Sequence, residues 1–278
     1  LLLFTPFGLA SGVAERWLNF GGFTFQPSEL LKIAFIVYLA AWLSGNKERR
    51  EHWWRGFLPF IVILGSIGLI LLKQASTSTF ALLLITACVM YFANGAKYSF
   101  MFSAAAIGII SLLLISYLTP YRWQRILTYL EPSKNYETSG YHINQALIAI
   151  GNGGVTGVGL GQSTTKIKYL PEPIGDSIFA IVSEELGFIG SVSIILALLL
   201  LSGRILIISR RAPHKFGQLL LVGFGSLIGI QAFVNIGAIS GLIPLTGMPL
   251  PFVSYGGTGL TVYMTIAGII GNISKYTR

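Results

Sequence analysis

The sequence predicts an all-α integral membrane protein, a polytopic helical bundle with about seven complete spans and one long extracytoplasmic loop. Of its 278 residues, 53% are hydrophobic and only 10% are charged, and the mean hydropathy is +0.72. Soluble domains carry about 25% charged residues, which cover their surface. The composition therefore excludes a soluble enzyme and a disordered protein, and the single cysteine, Cys88, excludes a disulfide scaffold.

Seven apolar runs approach the length of about 20 residues that a membrane helix needs. We place these spans at roughly residues 27–45, 56–73, 76–95, 99–118, 177–202, 216–237 and 255–273. The apolar stretch Leu1–Ala10 is expected to be the tail of an earlier span. The sequence is also expected to be N-terminally truncated, because it opens inside this run without Met or a basic n-region.

Basic residues in the short connections set the orientation of such a bundle. With alternating spans the basic clusters fall on one side, assigned to the cytoplasm: Lys47, Arg49, Arg50 and Arg55, then Arg204, Arg210, Arg211 and Lys215, then Lys275 and Arg278. Residues 118–175 then form a large extracytoplasmic loop, and residues 238–254 form a second outer or re-entrant loop of a single transmembrane domain, 1–278. Because the basic residues form no stripe, no nucleic-acid partner is expected.

The first complete span opens on Pro27 and Glu29, with Lys32 one turn later. Proline suits the first helical position, and an acid suits the positive end of the helix dipole. Lys32 lies on the same face as Glu29 and slightly inside the bilayer, where a charge usually has a partner or a function. Two interpretations stay open, namely anion binding by Lys32 and a structural ion pair with Glu29.

Two arginines, Arg122 and Arg125, lie three residues apart at the outer membrane boundary, beside aromatic residues. They can be an interfacial anchor, or their guanidinium groups can bind phosphate oxygens from one face. Lys73, at the end of another outer half-span, can contribute in the same way.

The only aspartate, Asp176, stands beside Glu172 where the outer segment returns to the membrane. It can cap the helix that begins there or, if desolvated, act as a general base. Glu184 and Glu185 lie about 12 Å deeper on that helix and are predicted to be buried structural partners of inner basic groups, with a catalytic role as the alternative. The three histidines show no metal-ligand spacing: His52, His142 and His214.

A glycine-dense stretch, Gly151–Gly161, imitates a nucleotide-binding loop. The dinucleotide pattern that begins at Gly157 requires a glycine where Gln162 stands, and no strand precedes it. A nucleotide-binding function is therefore excluded.

Taken together, these segments resemble the SEDS family (shape, elongation, division and sporulation), whose best-known members are FtsW and RodA. The likeness covers essentially the whole chain and rests on motifs in the family's order: Arg16-Trp17, Gln26-Pro27-Ser28-Glu29 with Lys32, Tyr141–Gly161, Leu170–Ala180, Glu184-Glu185, and Pro244–Gly257 with Ser254 and Tyr255. The resemblance implies about ten spans in full-length members, so the first two and most of the third would be missing here.

The chain departs from the family pattern at two places. Gln74-Ala75-Ser76 replaces the usual Gln-Pro-Asp, so no role of that acid carries over. Ile174-Gly175-Asp176 replaces the common His-Thr-Asp, which keeps the aspartate but leaves it without the histidine partner. The Gly-Asp version leans slightly towards the FtsW branch.

The resemblance implies a peptidoglycan glycosyltransferase of the bacterial cytoplasmic membrane that polymerises lipid II at its outer face, in cell division or cell elongation. Asp176 would act as the general base on the acceptor sugar's 4-hydroxyl. Pyrophosphate and sugar binding would fall to Lys32, Lys73, Arg122, Arg125, Gln145 and Glu172. Structural or partner contacts would fall to Arg16, Trp17, Glu29, Glu184, Ser254 and Tyr255.

The implied partners are lipid II, a class B penicillin-binding protein acting as transpeptidase, and other membrane proteins of the divisome or elongasome. A divalent cation, Mg²⁺ or Mn²⁺, is left open as a cofactor. Two other functions also stay open, a lipid II translocator and a non-enzymatic membrane scaffold, neither of which needs a general base.

Overall fold

A computed structural model describes residues 8–11, 14–20, 23–45, 52–130, 139–168 and 170–277. The protein is mostly helical, as the sequence predicts for a helical membrane protein. It divides into two compact units. The first unit comprises Leu1–Leu112, Ser202–Leu227 and Gly257–Arg278, and the second comprises Leu113–Leu201 and Ile228–Gly256.

The chain begins with a small antiparallel sheet of three strands in the order β1 (Gly8–Ser11), β2 (Ala14–Phe20) and β3 (Phe23–Phe25). Leu9 pairs with Trp17, and Leu18 pairs with Phe25. The expectation that Leu1–Ala10 continues a membrane helix is therefore wrong for residues 8–10, while residues 1–7 lie outside the described part. The run contains a proline and a glycine, both of which disfavour a helix interior.

Each of the seven predicted spans coincides with a helix. In chain order the helices are α1 (Pro27–Gly45), a π-helical turn (Trp53–Phe57) leading into α2 (Leu58–Lys73), α3 (Thr77–Ala93), α4 (Tyr98–Leu118), α5 (Pro120–Leu130), α6 (Ser139–Asn152), α7 (Thr165–Lys168), α8 (Ile178–Ser209), α9 (Lys215–Ile239) and α10 (Gly257–Ser274). Within the described ranges, five are long and apolar enough to cross a membrane: α1, α2 with its π turn, α4, α8 and α9. The protein is thus a multi-pass membrane protein, and the count of seven spans stays a prediction.

In the first unit, α1 packs against α3 and α10. The rings of Phe60 and Tyr91 stack with their centroids 4.5 Å apart. Gly223 lies so close to its neighbours that a Cβ there would be 2.6 Å from Ile36 and 2.8 Å from the sulfur of Met90. Small residues of this kind allow membrane helices to approach closely.

The core of the second unit is built from α6, α8 and α9. Ala146 and Ala149 on α6 and Ala180 on α8 are fully buried, and Ala232 on α9 is nearly so. Alanines leave little side-chain bulk between the backbones, which suits close helix packing. This packing holds α6 beside the first turns of α8, where the only aspartate lies.

The glycine-dense stretch, Gly151–Gly161, is hydrogen-bonded to a break in helix α8 of the second unit. Helix α8 is interrupted at Gly187, whose backbone is not helical (φ 66°, ψ −162°). Its freed backbone groups are satisfied by the stretch through four hydrogen bonds: Val158 N to Glu184 O (3.0 Å), Gly159 N to Glu185 O (3.0 Å), Phe188 N to Gly154 O (2.9 Å) and Ile189 N to Val155 O (3.2 Å). At Gly157 a Cβ would lie 2.1 Å from Glu185 O, so only glycine fits.

Candidate functional site

Asp176 occupies the end of a turn, residues 170–177, that leads into α8 and is called the return turn below. Its main-chain oxygen accepts a hydrogen bond of 2.8 Å from Asn235 Nδ2 on α9, and the same nitrogen donates to Met248 O at 2.6 Å. A Cβ built on Gly247 would lie 3.6 Å from Asp176 Oδ2. The half-buried carboxylate therefore faces the non-helical residues 240–256, called the second outer segment below.

A histidine reaches this carboxylate through a serine hydroxyl. His142 Nε2 lies 2.6 Å from Ser177 Oγ, and Ser177 Oγ lies 3.5 Å from Asp176 Oδ1 and 3.0 Å from Pro171 O. The expectation that Asp176 has no histidine partner is therefore wrong. The partner comes from α6, 35 residues before Ser177, and the packing of α6 on α8 brings it there.

The electrostatics of the pair bring the proton affinities of its two members closer together. Burial raises the pKa of Asp176 above its ordinary value, His142 opposes this rise, and Glu172 adds to it. Burial lowers the pKa of His142, while Asp176 and Glu172 work against that lowering and Arg125 adds to it. A carboxyl with raised pKa and an imidazole with lowered pKa are suited to proton exchange.

Glu172 belongs to the same return turn. Its backbone is left-handed, with φ 46°, which is uncommon for a residue other than glycine. Its carbonyl accepts hydrogen bonds from Gly175 N (3.1 Å) and Ser177 N (3.4 Å). This tight turn places the exposed Glu172 near enough to Asp176 to influence its charge.

The arginines lie on α5. Arg125 Nη1 donates to Leu245 O at 3.5 Å, and Tyr129 donates its hydroxyl proton to Leu242 O at 2.7 Å, so α5 is tied to the second outer segment. Arg122 is half-buried one turn earlier, and burial lowers the pKa of its guanidinium. The structure brings Arg125 close enough to His142 to affect its charge, while phosphate binding by the two arginines stays a prediction.

Three more predicted site residues belong to this unit. Gln145 is half-buried on α6, one turn after His142. Ser254 Oγ accepts a hydrogen bond of 2.7 Å from Leu250 N, and Tyr255 N donates to Ile174 O at 2.9 Å. Ser254 thus shapes the second outer segment, and Tyr255 attaches it to the return turn.

The two glutamates on α8 have partners other than those expected. Glu184 is 2% exposed and accepts hydrogen bonds from the hydroxyls of Ser163 (2.5 Å) and Thr165 (2.9 Å). Glu185 forms an ion pair of 2.6 Å with Lys166. The prediction of inner basic groups as their partners is wrong for Glu184, whose partners are hydroxyls. Glu185 does pair with a basic group, but this group is Lys166, in the chain that follows the glycine-dense stretch.

The remaining predicted residues belong to the first unit. Lys32 is 1% exposed, and its Nζ lies 2.7 Å from Glu29 Oε1 and 5.7 Å from the ring centre of Tyr263. This geometry corresponds to the ion-pair interpretation, and anion binding by Lys32 stays a prediction. Lys73 is exposed at the end of α2.

The motif Arg16-Trp17 lies on β2. Trp17 is half-buried, whereas the side chain of Arg16 lies outside the described part of the structure.

Side chains that could hold a metal ion do not converge in the part of the chain that the structure describes. In those ranges no group of three or more His, Cys, Asp and Glu residues has a suitable arrangement.

Known proteins are similar to this chain in sequence and in fold. The family model described as cell cycle protein, for FtsW, RodA and SpoVE, matches residues 1–278. Stage V sporulation protein E of Bacillus subtilis is 41% identical over 278 residues, which are 100% of this chain and 76% of that protein. A probable peptidoglycan glycosyltransferase FtsW of Geobacter sulfurreducens is 41% identical over 277 residues, covering 98% of this chain and 74% of that one.

A similar chain occurs in a solved structure that is described as the structural coordination of polymerization and crosslinking by a peptidoglycan synthase complex. The TM-score is 0.78 at 26% identity, and the match covers 99% of this chain and 76% of that one. With the family model matched from end to end, the chain belongs to the FtsW, RodA and SpoVE family of cell cycle proteins.

Proposed function

We propose that this protein is a peptidoglycan glycosyltransferase that polymerises lipid II into glycan strands at the outer face of the bacterial cytoplasmic membrane, in cell division or cell elongation. Its family membership and the name of its Geobacter relative support this activity. The observation that carries the proposal is Asp176, a half-buried carboxylate with raised pKa at the start of α8.

Asp176 acts as the general base in this proposal. The acceptor sugar's 4-hydroxyl gives its proton to the carboxylate while its oxygen attacks the anomeric carbon of the donor. The bond from that carbon to the pyrophosphate oxygen breaks, and undecaprenyl pyrophosphate leaves with the electron pair. A single displacement inverts the anomeric centre and needs no covalent intermediate on the protein.

The raised pKa suits this task, because a stronger base takes a proton more readily from a sugar hydroxyl. The hydrogen bond from Asn235 fixes the backbone of Asp176, so little motion is needed to align the carboxylate.

The negative charge that develops on the leaving group is offset by Arg122 and Arg125 on α5 in the same unit. Lys32 and Lys73 are proposed to contribute further positive charge, and Gln145 and Glu172 to contact sugar hydroxyls. A class B penicillin-binding protein is the proposed transpeptidase partner, alongside other divisome or elongasome membrane proteins. The similar chain in a peptidoglycan synthase complex supports such a partnership.

The test is polymerisation of purified lipid II by the full-length protein with its cognate transpeptidase. Asp176→Asn removes the base while preserving shape, and the rate is expected to fall at least about 100-fold. Glu185→Gln is the matched control, because it removes a carboxylate from α8, the helix that follows Asp176, and leaves the return turn untouched. It is expected to retain most of the activity.

A scaffold or a translocator would not need the base. Asp176→Asn that folds and polymerises at the wild-type rate would therefore overturn the proposed mechanism. If neither the wild type nor the variant polymerises, while both carry lipid II across vesicle membranes, the translocator would replace the polymerase.

A further inference from the structure

His142 has no part in the mechanism described so far, although it lies in the same cluster as the proposed base. It is half-buried on α6, and its Nε2 makes the 2.6 Å contact with Ser177 Oγ. Ser177 is fully buried, and the neighbours of its hydroxyl include His142, Asp176 and Pro171. The hydroxyl therefore lies between an imidazole and a carboxylate.

We propose that His142 is the positioning residue through which Asp176 passes on its proton, with the Ser177 hydroxyl as the link; this proposal rests on the proposed function. After each glycosyl transfer Asp176 carries the proton of the acceptor hydroxyl. It must lose this proton before the next sugar is added.

The transfer balances without another reactant. Asp176 gives its proton to Ser177 Oγ, and Ser177 gives its own hydroxyl proton to His142 Nε2. No bond between heavy atoms changes. The carboxylate is then ionised again, and the imidazolium releases a proton to water at the outer membrane surface. The serine hydroxyl can rotate between its acceptors, which is the movement that the relay needs.

The charged groups around the pair act on both of its members. Asp176 and Glu172 raise the pKa of His142 and so stabilise an imidazolium, whereas Arg125 on α5 opposes it; Glu172 also raises the pKa of Asp176. The neighbour from α9 is Asn235, which does not titrate, and the second outer segment presents the backbone at Gly247. Burial, the largest effect on both groups, brings the two pKa values towards each other, whereas the attraction between Asp176 and His142 works against this convergence.

A purely structural role is the competing explanation, in which His142 only ties α6 to the return turn. His142→Gln separates the two, because its amide can keep a hydrogen bond to Ser177 but cannot take up a proton. Ser177→Ala removes the link by deleting one oxygen atom. The matched controls are His214→Gln and Ser193→Ala, since both residues are exposed and lie outside the cluster.

The experiment measures the pH dependence of lipid II polymerisation by each variant of the complete protein with its transpeptidase. His142→Gln and Ser177→Ala are each expected to lower the rate about 10-fold, and the double variant is expected to be no slower than either. In His142→Gln the acidic limb of the plot of polymerisation rate against pH is expected to move to higher pH. The reason is that the group lowering the pKa of Asp176 has been removed.

Imidazole supplies a second readout. In His142→Ala, added imidazole is expected to restore part of the rate, whereas it should not accelerate Ser177→Ala, whose histidine is intact. A structural anchor would not be replaced by a free base in this way.

The outcomes separate this proposal from the proposed function. If Asp176→Asn is inactive while His142→Gln keeps the wild-type rate and pH profile, the relay is overturned and the general base stands. If Asp176→Asn is active, the proposed function fails in the same assay. Thermal unfolding in detergent identifies any variant that loses activity by losing its fold. If His142→Gln is such a variant, the rate of Ser177→Ala decides, and a wild-type rate would overturn the relay.

Discussion

Each unit contains an acid near the start of a helix, and the two acids have different surroundings. In the first unit, Glu29 and Lys32 lie one turn apart on α1, both nearly inaccessible, with their charges 2.7 Å apart. In the second unit, Asp176 is half-buried, and its bridged partner is a histidine with lowered pKa. The first acid forms an ion pair with a lysine of its own helix, whereas burial raises the pKa of the second.

This difference separates structure from function at two sites that look alike in the sequence. Acids at helix starts are common, because they interact favourably with the helix dipole. What distinguishes Asp176 is a histidine neighbour with a lowered pKa and a turn that leaves part of the carboxylate accessible. The following variants change one of the two units at a time.

The largest expected effect is on the buried ion pair. Lys32→Met leaves the Glu29 charge buried without its partner and is expected to cost about 3–5 kcal/mol in the free energy of unfolding. Lys275→Met, at an exposed lysine near the end of α10, is the control and should change stability little. Equal thermal unfolding of the two variants in detergent would show that the pair is not structural.

The next largest effect concerns the glycine-dense stretch, which is hydrogen-bonded to α8 at its break. Gly157→Ala places a Cβ 2.1 Å from Glu185 O at a backbone φ of 81° and is expected to cost about 2–4 kcal/mol. Gly161→Ala has a similar φ of 79° with no atom within 4 Å, so it isolates the backbone strain at about 1 kcal/mol. Chemical denaturation of both variants measures the difference between their free energies of unfolding. Equal losses of stability would contradict the proposed role of the glycine-dense stretch in stabilising the break in α8.

A smaller effect is expected at the arginines. Arg122→Ala with Arg125→Ala removes two donors for phosphate oxygens and is expected to raise the KM for lipid II about 10–100-fold. The increase should shrink at high salt, because screening weakens the wild type more than the variant. Unaltered polymerisation kinetics would refute phosphate binding by these arginines and leave the interfacial anchor.

The smallest effect is on the pH dependence of stability. Because the pKa of Asp176 is raised in the folded protein, its proton is bound more tightly there than in the unfolded chain. The resulting stabilisation is fully present below the unfolded pKa and is lost as the pH rises through the folded pKa. Asp176→Asn should lack this gain, so acidification should stabilise the wild type relative to the variant. Parallel unfolding midpoints across this pH range would contradict the raised pKa.

The sequence was sufficient to predict the seven apolar helices, for a physical reason, whereas α5, α6 and α7 lie in the segment that was expected to be a loop. Apolar runs of membrane length predict helices wherever they occur, so all seven runs were found. Asp176 could be selected as a candidate because it is the only aspartate in the sequence and lies at the predicted membrane boundary.

Contacts between distant segments were not predictable. His142 reaches Asp176 through Ser177 because α6 packs against α8 at buried alanines. No local sequence pattern predicts this long-range arrangement. The partners of Glu184 and the purpose of the glycine-dense stretch were missed together. The glycine-dense stretch binds α8 at the break at Gly187, which lies inside an apolar run that predicts a continuous helix.

The most direct test of the central claim is the rate of glycan polymerisation from purified lipid II, per folded molecule, by Asp176→Asn. The predicted result is a loss of at least about 100-fold with a thermal unfolding midpoint close to that of the wild type. Polymerisation at the wild-type rate would show that the chemistry does not depend on this carboxylate.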